Sequence, residues 1–257
     1  MRERINDYSR ILPIVELYVA VQGEGSRTGM PTIVIRTTGC THRCWFGAGG
    51  FCDSFYTSWT PEKGKFKFND IIKMYDEHPN ITEMMLTGGS PTMHPRLLNE
   101  LTHFANERGI FITMETEASH FVETDHPINL LSISPKFSNS IPRLGITSPD
   151  GKTVDKKYVD QHNKFRLNKE IIMQLISVHS DYQYKPVLGS DLAILDEIEK
   201  FRIECGIPKN KTWLMPAGDN RETLIKMYPM IMQVAIDMGY NFTGRPHIIA
   251  YDQKREV

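Results

Sequence analysis

Residues 31–54 read PTIVIRTTGCTHRCWFGAGGFCDS: a β-branched run that breaks at Thr-Thr-Gly and opens into three cysteines. Val, Ile and Thr suit the pleated, half-buried surface of a strand, and the bounding Pro and Gly mark its ends. The thiols of Cys40, Cys44 and Cys52 therefore sit on a loop directly after a strand. Upstream, PIVELYVAV (13–21) predicts another strand, joined through the glycine turn QGEGSRTGM. Downstream, FNDIIKMYDEH (68–78) predicts a helix with Asn69 as N-cap and Ile71, Ile72 and Tyr75 on one face. ITEMMLTGGSP predicts a short buried strand ending in a glycine turn, and HPRLLNELTHFANERG a helix closed by Gly109. IFITMETEAS and INLLSISPK predict two more strands.

From Ser138 to about Lys152 the chain turns polar, with Pro142, Pro149 and Gly151, and reads as a surface loop within one domain. A helical stretch follows, then YQYKPVLG, SDLAILDEIEKFRIECG, KTWLMPAG and RETLIKMYPMIMQVAIDMG, with PHIIAYD (246–252) as the last strand. No internal repeat or low-complexity segment interrupts this order. Strands alternating with helices imply a parallel sheet with right-handed crossovers. In such sheets chemistry collects beyond the strands' C-terminal ends. TTGC, TGGSP, METEAS and ISPK all fall at such ends.

The whole chain sets bounds. With 257 residues it can bury one core unaided, so a single α/β domain over 1–257 is expected. A formal net charge of -1 argues against nonspecific nucleic-acid binding. The apolar stretch at Ile11–Val21 is short and holds Glu16, and no small-residue cleavage site follows it. That argues against a membrane span and a signal peptide and favours the cytoplasm. There a thiol cluster is more often metal-binding or catalytic than a disulfide framework.

The residues alone leave three readings of the cysteines. They could be inert buried thiols. They could hold structural zinc with His42 or Cys205 as fourth ligand, although zinc prefers short paired spacings. Or they could hold an iron–sulfur cluster by three thiolates, leaving one iron open to a small molecule. Spacing does not decide between the last two.

The combination QGEGSRTGMPTIVIRTTGC, CDS, TGGSP and ISPK resembles the radical S-adenosylmethionine (SAM) superfamily, and within it the 7-carboxy-7-deazaguanine synthase family. RPHIIAYDQKREV is similar to the C-terminal tail of some members. The likeness runs from about residue 14 to 136, weakens through the middle helices and returns at the end. It implies an α/β fold of the radical SAM type, a partial (β/α) barrel with a mostly parallel sheet and outer helices. A cluster-binding loop would lie at about 38–60. It implies a 4Fe-4S cluster on Cys40, Cys44 and Cys52, whose open iron would chelate SAM; an electron would then break the sulfonium C–S bond. The resulting 5′-deoxyadenosyl radical would take hydrogen from 6-carboxy-5,6,7,8-tetrahydropterin. The ring would contract, ammonia leave and SAM be regenerated, with Mg2+ supporting the rearrangement.

By the same resemblance, Gly89, Ser134, Pro135 and Lys136 contact SAM. Ser54 is the Mg2+ ligand, and Val21, Gln22, Gly23, Arg36 and Thr87 hold the pterin. Arg36 suits a carboxylate and Gln22 a heterocycle edge. Lys185 and Pro216 are looser candidates for the SAM pocket, and Glu115 and Glu117 line the site or face solvent. Two departures stand out. Seven residues separate Cys44 from Cys52 where the family pattern has two, and GGSP replaces GGEP, passing a SAM amino contact to Ser90 or to backbone. The insertion Trp45–Phe51 is expected to bulge outward on its glycines.

Blander roles stay open for several residues. Arg36 could be a structural arginine paired to Glu24, and Gln22 and Glu24 could simply shape their turn. His42 reads as a solvent-facing loop residue, Cys205 as a non-ligand at a helix end, and the methionines near Met230 as core. An electron donor such as flavodoxin is implied but not named by any residue. The oligomeric state, a homodimer among the options, and the use of the product in transfer RNA or DNA stay open. A glycyl-radical activase and a zinc-stabilised binding module are the competing functions.

Overall fold

The computed structural model describes residues 3–47 and 50–257. The elements in chain order are β1 (Ile14–Val21), β2 (Pro31–Thr37), α1 (Phe55–Ser58), α2 (Phe68–Glu77), β3 (Glu83–Gly88), α3 (Pro95–Arg108), β4 (Phe111–Thr116) and β5 (Leu130–Ile133). The second half adds α4 (Lys156–Phe165), α5 (Lys169–Val178), β6 (Tyr182–Tyr184), β7 (Val187–Leu188), α6 (Ile194–Glu204), β8 (Trp213–Pro216), α7 (Arg221–Met238), β9 (Asn241–Phe242) and α8 (Pro246–Tyr251).

The first six strands form one sheet in the order β1-β2-β3-β4-β5-β6. Only the β1–β2 pair is antiparallel; the rest are parallel. A hairpin-scale turn can join β1 to β2, whereas each later pair needs a longer crossover, which carries helices except between β4 and β5. A three-stranded sheet, β7-β8-β9, follows, and a parallel bridge from Tyr184 to Thr212 links it to β6. The strands thus sweep round in sequence order without closing into a barrel among the described residues. β2 and β3 are buried on both faces, which is why they read as continuous apolar runs. Ile33, Ile35, Met84, Leu86, Met114 and Ile133 pack under α2 and α3 residues such as Ile71, Leu98 and Leu101 in one core.

Four readings of local structure change. PHIIAYD is not a strand but helix α8, started by Pro246 at its first position, where a missing N–H costs nothing. YQYKPVLG splits into β6 and β7 around Lys185 and Pro186. The N-cap of α2 is Lys67, not Asn69, and the Asp70 carboxylate accepts from the Lys67 backbone N–H at 2.8 Å. His42 is fully buried, not solvent-facing. Gly109 does close α3, in the left-handed conformation.

Candidate active site

The strand ends of the sheet surround a cavity of about 220 Å³. Its wall combines the three thiols with Gln22, Arg36, Ser54, Thr87, Glu115, Ser134, Lys136 and Lys185. These residues lie on separate stretches of sequence, and the fold brings most of them together because they sit at or beyond the C-terminal ends of the parallel strands, whereas Gln22 follows antiparallel β1. Val21, Gly23 and Gly89 also reach the wall. Pro135, Pro216 and Ser90 do not; the Ser90 hydroxyl faces Thr92 Oγ1 at 3.0 Å.

Gly89 has a structural duty. A Cβ there would lie 2.0 Å from the Gly39 carbonyl oxygen, so the TGG turn is glycine to let the cysteine loop cross it. At Gly23 a Cβ would meet the His247 ring, Nδ1 at 1.9 Å, so any side chain there would displace that imidazole.

The cysteine loop is tied down around its thiols. Trp45 and Phe51 form an antiparallel bridge, Phe46 N–H donates to the Gly50 carbonyl at 2.8 Å, and Cys52 N–H donates to the Cys44 carbonyl at 3.3 Å. The insertion is a small hairpin whose stem sets Cys52 beside Cys44, so the lengthened spacing does not remove Cys52 from the site. Its stem does not simply bulge away, because Phe46 and Phe51 face the cavity. Ala48 and Gly49, at its tip, lie outside the described residues. Cys205 caps α6, is buried, and is absent from the cavity wall.

Burial raises all three thiols: Cys40 well above its ordinary value, helped by Glu117; Cys44 to about 11; and Cys52 upward, with Asp53 adding to burial. They are protonated without metal, and a metal must displace those protons. A tight trio of candidate ligand atoms, within 4.8 Å of one another, also exists: Cys40, His42 and Glu117. Thr41 and Ser119 orient two of its members, while their second atoms, His42 Nε2 and Glu117 Oε2, are buried with no hydrogen-bond partner among the described residues. His42 Nδ1 bonds Thr41 Oγ1 at 2.9 Å, and Glu117 accepts from Thr41 Oγ1 at 3.3 Å and from Ser119 Oγ.

The rest of the lining includes a partly buried chain of charge. Lys185 Nζ donates to both Glu24 and Glu115, and Glu115 accepts from Thr87 Oγ1 at 2.9 Å. Arg245 donates to Glu24 at 2.9 Å and to Asp53, next to Cys52. Burial alone would neutralise these carboxylates, but Lys185 and Arg245 outweigh it. Glu24 is held well below the carboxylate range and Asp53 at about 2. Burial lowers His247 to about 4, with Arg245 adding, so it is neutral near pH 7. Arg36 pairs not with Glu24 but with Glu16, Nε to Oε2 at 2.6 Å, and its Nη1 donates to Ser54 Oγ at 3.0 Å. Burial opposes its charge, but Tyr56, Tyr18 and Glu16 hold its pKa above the ordinary value. Gln22 gives Nε2 to Glu83 at 2.8 Å, while its buried Oε1 has no partner among the described residues. Asp53, Arg245 and His247 line the cavity but were missed as site residues: Asp53 stands within CDS, and nothing in TGRPHI announces a buried charge.

Comparison with known proteins decides the family. The chain is 32% identical over 252 residues to 7-carboxy-7-deazaguanine synthase of Halobacterium salinarum, spanning 96% of this chain and 93% of that protein. It belongs to the 7-carboxy-7-deazaguanine synthase family. The Rhodopirellula baltica 7-carboxy-7-deazaguanine synthase is 30% identical over 246 residues, covering 95% of this chain and 88% of that protein. The fold matches a crystal structure of QueE from Escherichia coli with TM-score 0.57, at 18% identity, over 90% of this chain and 92% of that one. No protein-family model matches the chain. Membership brings with it the radical SAM class, and three thiols facing one cavity suit its cluster.

Proposed function

We infer that this chain converts 6-carboxy-5,6,7,8-tetrahydropterin to 7-carboxy-7-deazaguanine with loss of ammonia, in 7-deazapurine biosynthesis of the queuosine type. The observation that supports the substrate reading is a cavity lined by Arg36, Gln22 and three thiols, with Gln22 Oε1 buried and unpartnered among the described residues. A guanidinium fork matches a carboxylate, and a lone amide acceptor matches the N–H groups of a pterin edge.

Cys40, Cys44 and Cys52 hold a 4Fe-4S cluster. With SAM bound, cluster and cofactor supply one-electron chemistry and hydrogen-atom abstraction, which protein side chains cannot. Ser134 and Lys136 contact SAM. Lys136 Nζ already donates to the Ser134 carbonyl at 2.8 Å and to Ser134 Oγ at 3.0 Å, leaving one of its three protons for a cofactor oxygen. Arg36 receives the substrate carboxylate, Gln22 the ring edge, and Thr87, oriented by Glu115, a ring polar atom. Val21 and Gly23 close the same wall. Ser54 Oγ beside the Asp53 carboxylate is a hard-oxygen set suited to Mg2+, which keeps waters and substrate oxygens in its remaining positions. Mg2+ there would neutralise developing negative charge on the substrate. The reaction draws electrons from a small donor protein such as flavodoxin and belongs in the reducing cytoplasm, where such thiolates persist. No described helix is long and apolar enough to cross a membrane.

Anaerobic reconstitution with iron and sulfide, followed by product analysis with SAM, a reductant and the carboxylated pterin, tests this reading. It expects a brown iron–sulfur protein, the deazapurine product and released ammonia. Zinc in place of iron and sulfide, or SAM cleavage without product, would overturn it.

A further inference from the structure

We propose that Arg255 is a positioning residue for the substrate carboxylate: through Glu16 it fixes the orientation of Arg36. The proposal rests on the reading of Arg36 as the carboxylate arginine. Glu16, on β1, has a side chain only 1% exposed, and both of its oxygens are engaged. Oε2 accepts from Arg36 Nε at 2.6 Å and from the Tyr56 hydroxyl at 3.2 Å. Oε1 accepts from Arg255 Nε at 2.6 Å. Arg255 lies flat on Tyr56, its guanidinium carbon 3.5 Å from the ring centroid. Its other edge is forked onto Glu62, at 2.9 and 3.3 Å.

The backbone is shaped to deliver this contact. After α8 the chain turns back at Asp252, which has φ 57, and bends again at Glu256, with φ 58. A left-handed conformation costs a non-glycine residue energy and persists where surrounding contacts impose it. Those contacts are present: Asp252 accepts from Arg221 N–H at 3.0 Å, and Arg221 donates to the Ile249 and Ala250 carbonyls at 2.6 and 2.7 Å. The segment ends with Val257 in the cavity wall.

The chemistry of the pair gives Arg255 its role. A buried carboxylate with both oxygens free prefers to grip a guanidinium bidentately. Were Oε1 of Glu16 free, it would compete for Arg36 and draw the fork away from the cavity. Arg255 occupies Oε1, so Glu16 holds Arg36 only by Nε through one oxygen; Nη2, which a bidentate grip would take, is left for the substrate while Nη1 donates to Ser54.

The test uses reconstituted full-length protein. The dissociation constant of the carboxylated pterin is measured by calorimetry without SAM, beside kcat and thermal midpoint, for Arg255→Gln, Arg255→Lys, Arg36→Ala and the double variant Arg36→Ala/Arg255→Gln. Arg255→Gln should weaken pterin binding about tenfold, the size of one charge-assisted hydrogen bond, with kcat little changed and a lower thermal midpoint, since Glu16 Oε1 loses its cation. Arg255→Lys, which still offers a cation to Oε1, should recover part of that loss. In the Arg36→Ala background Arg255→Gln should add nothing, because its effect passes through Arg36. Unchanged pterin affinity in Arg255→Gln, an additive loss in the double variant, or a matched fall in kcat and thermal midpoint without rescue by Lys would overturn the proposal. If Arg36→Ala itself leaves pterin binding intact, the carboxylate reading of Arg36 fails first, and the two failures are thereby told apart.

Discussion

The two walls of the cavity are built on opposite principles. The cysteine wall is unfinished: Cys40, Cys44 and Cys52 are buried thiols whose pKa burial pushes upward, and Lys136 and Arg43 offset that only in part. The charged wall is finished: Lys185, Arg245, Glu24, Glu115 and Asp53 satisfy one another with no ligand present. An unfinished wall waits for a metal and responds all-or-none when a ligand is lost. A finished wall is preorganised, so a ligand meets groups already oriented and charged, and it responds in graded steps.

The sharpest way to break this contrast is at the thiols. Cys40→Ala, Cys44→Ala and Cys52→Ala should each abolish the reconstituted iron–sulfur absorption, whereas Cys205→Ala should retain it. Iron and sulfide analysis of the four variants decides. Dependence on Cys205 with Cys52 dispensable would mean that the insertion has displaced the third ligand.

On the charged wall, Lys185→Met should destabilise the apoprotein by roughly 3–5 kcal/mol, because it strands two partly buried carboxylates. Denaturant midpoints measure it. A loss below about 1 kcal/mol would show that water, not Lys185, balances Glu24 and Glu115. Lys136 also lines the cavity. Lys136→Ala should weaken SAM binding by roughly 1.5–3 kcal/mol and leave the cluster intact. Equal SAM affinity in calorimetry would remove ISPK from the cofactor site.

The smallest effect concerns pH. Burial keeps His247 unprotonated down to about 4, while in the unfolded chain it takes a proton near 6.5. Between those values the unfolded state binds more protons, so acidification favours unfolding. Apoprotein stability should fall as pH drops from 6.5 towards 4, with His247 contributing about 1–2 kcal/mol by pH 5. Thermal scans of wild type and His247→Gln should show a shallower slope in the variant.

These walls were unequally legible in sequence. The cysteine wall is local: the strand PTIVIRT, the turn and the thiols are contiguous, so pattern and spacing expose them. The charged wall is built from pairs 161 and 221 residues apart, Lys185 with Glu24 and Arg245 with Glu24, and no periodicity reports such distances. Arg245 and His247 were further hidden by reading PHIIAYD as a strand. Its apolar run fits either period, and Pro246 as a helix start was the neglected signal. His42 looked exposed because it follows a Gly-Cys turn; burial against His162, ring to ring at 5.0 Å, is a tertiary fact. The core strands β2 to β5 read correctly because β-branched and apolar runs bounded by Gly and Pro carry their own punctuation.

The central claim is that Arg36, on a preorganised wall, receives a carboxylate that the thiol-held cofactors then act beside. The most direct measurement is the ratio of deazapurine formed to SAM cleaved, for wild type and Arg36→Ala, on the carboxylated pterin and on its decarboxylated analogue. The account predicts efficient coupling only for wild type with the carboxylated substrate, because a buried arginine left unpaired penalises the analogue. Efficient turnover of the decarboxylated pterin, or an equal loss of product formation and SAM cleavage in Arg36→Ala, would contradict it.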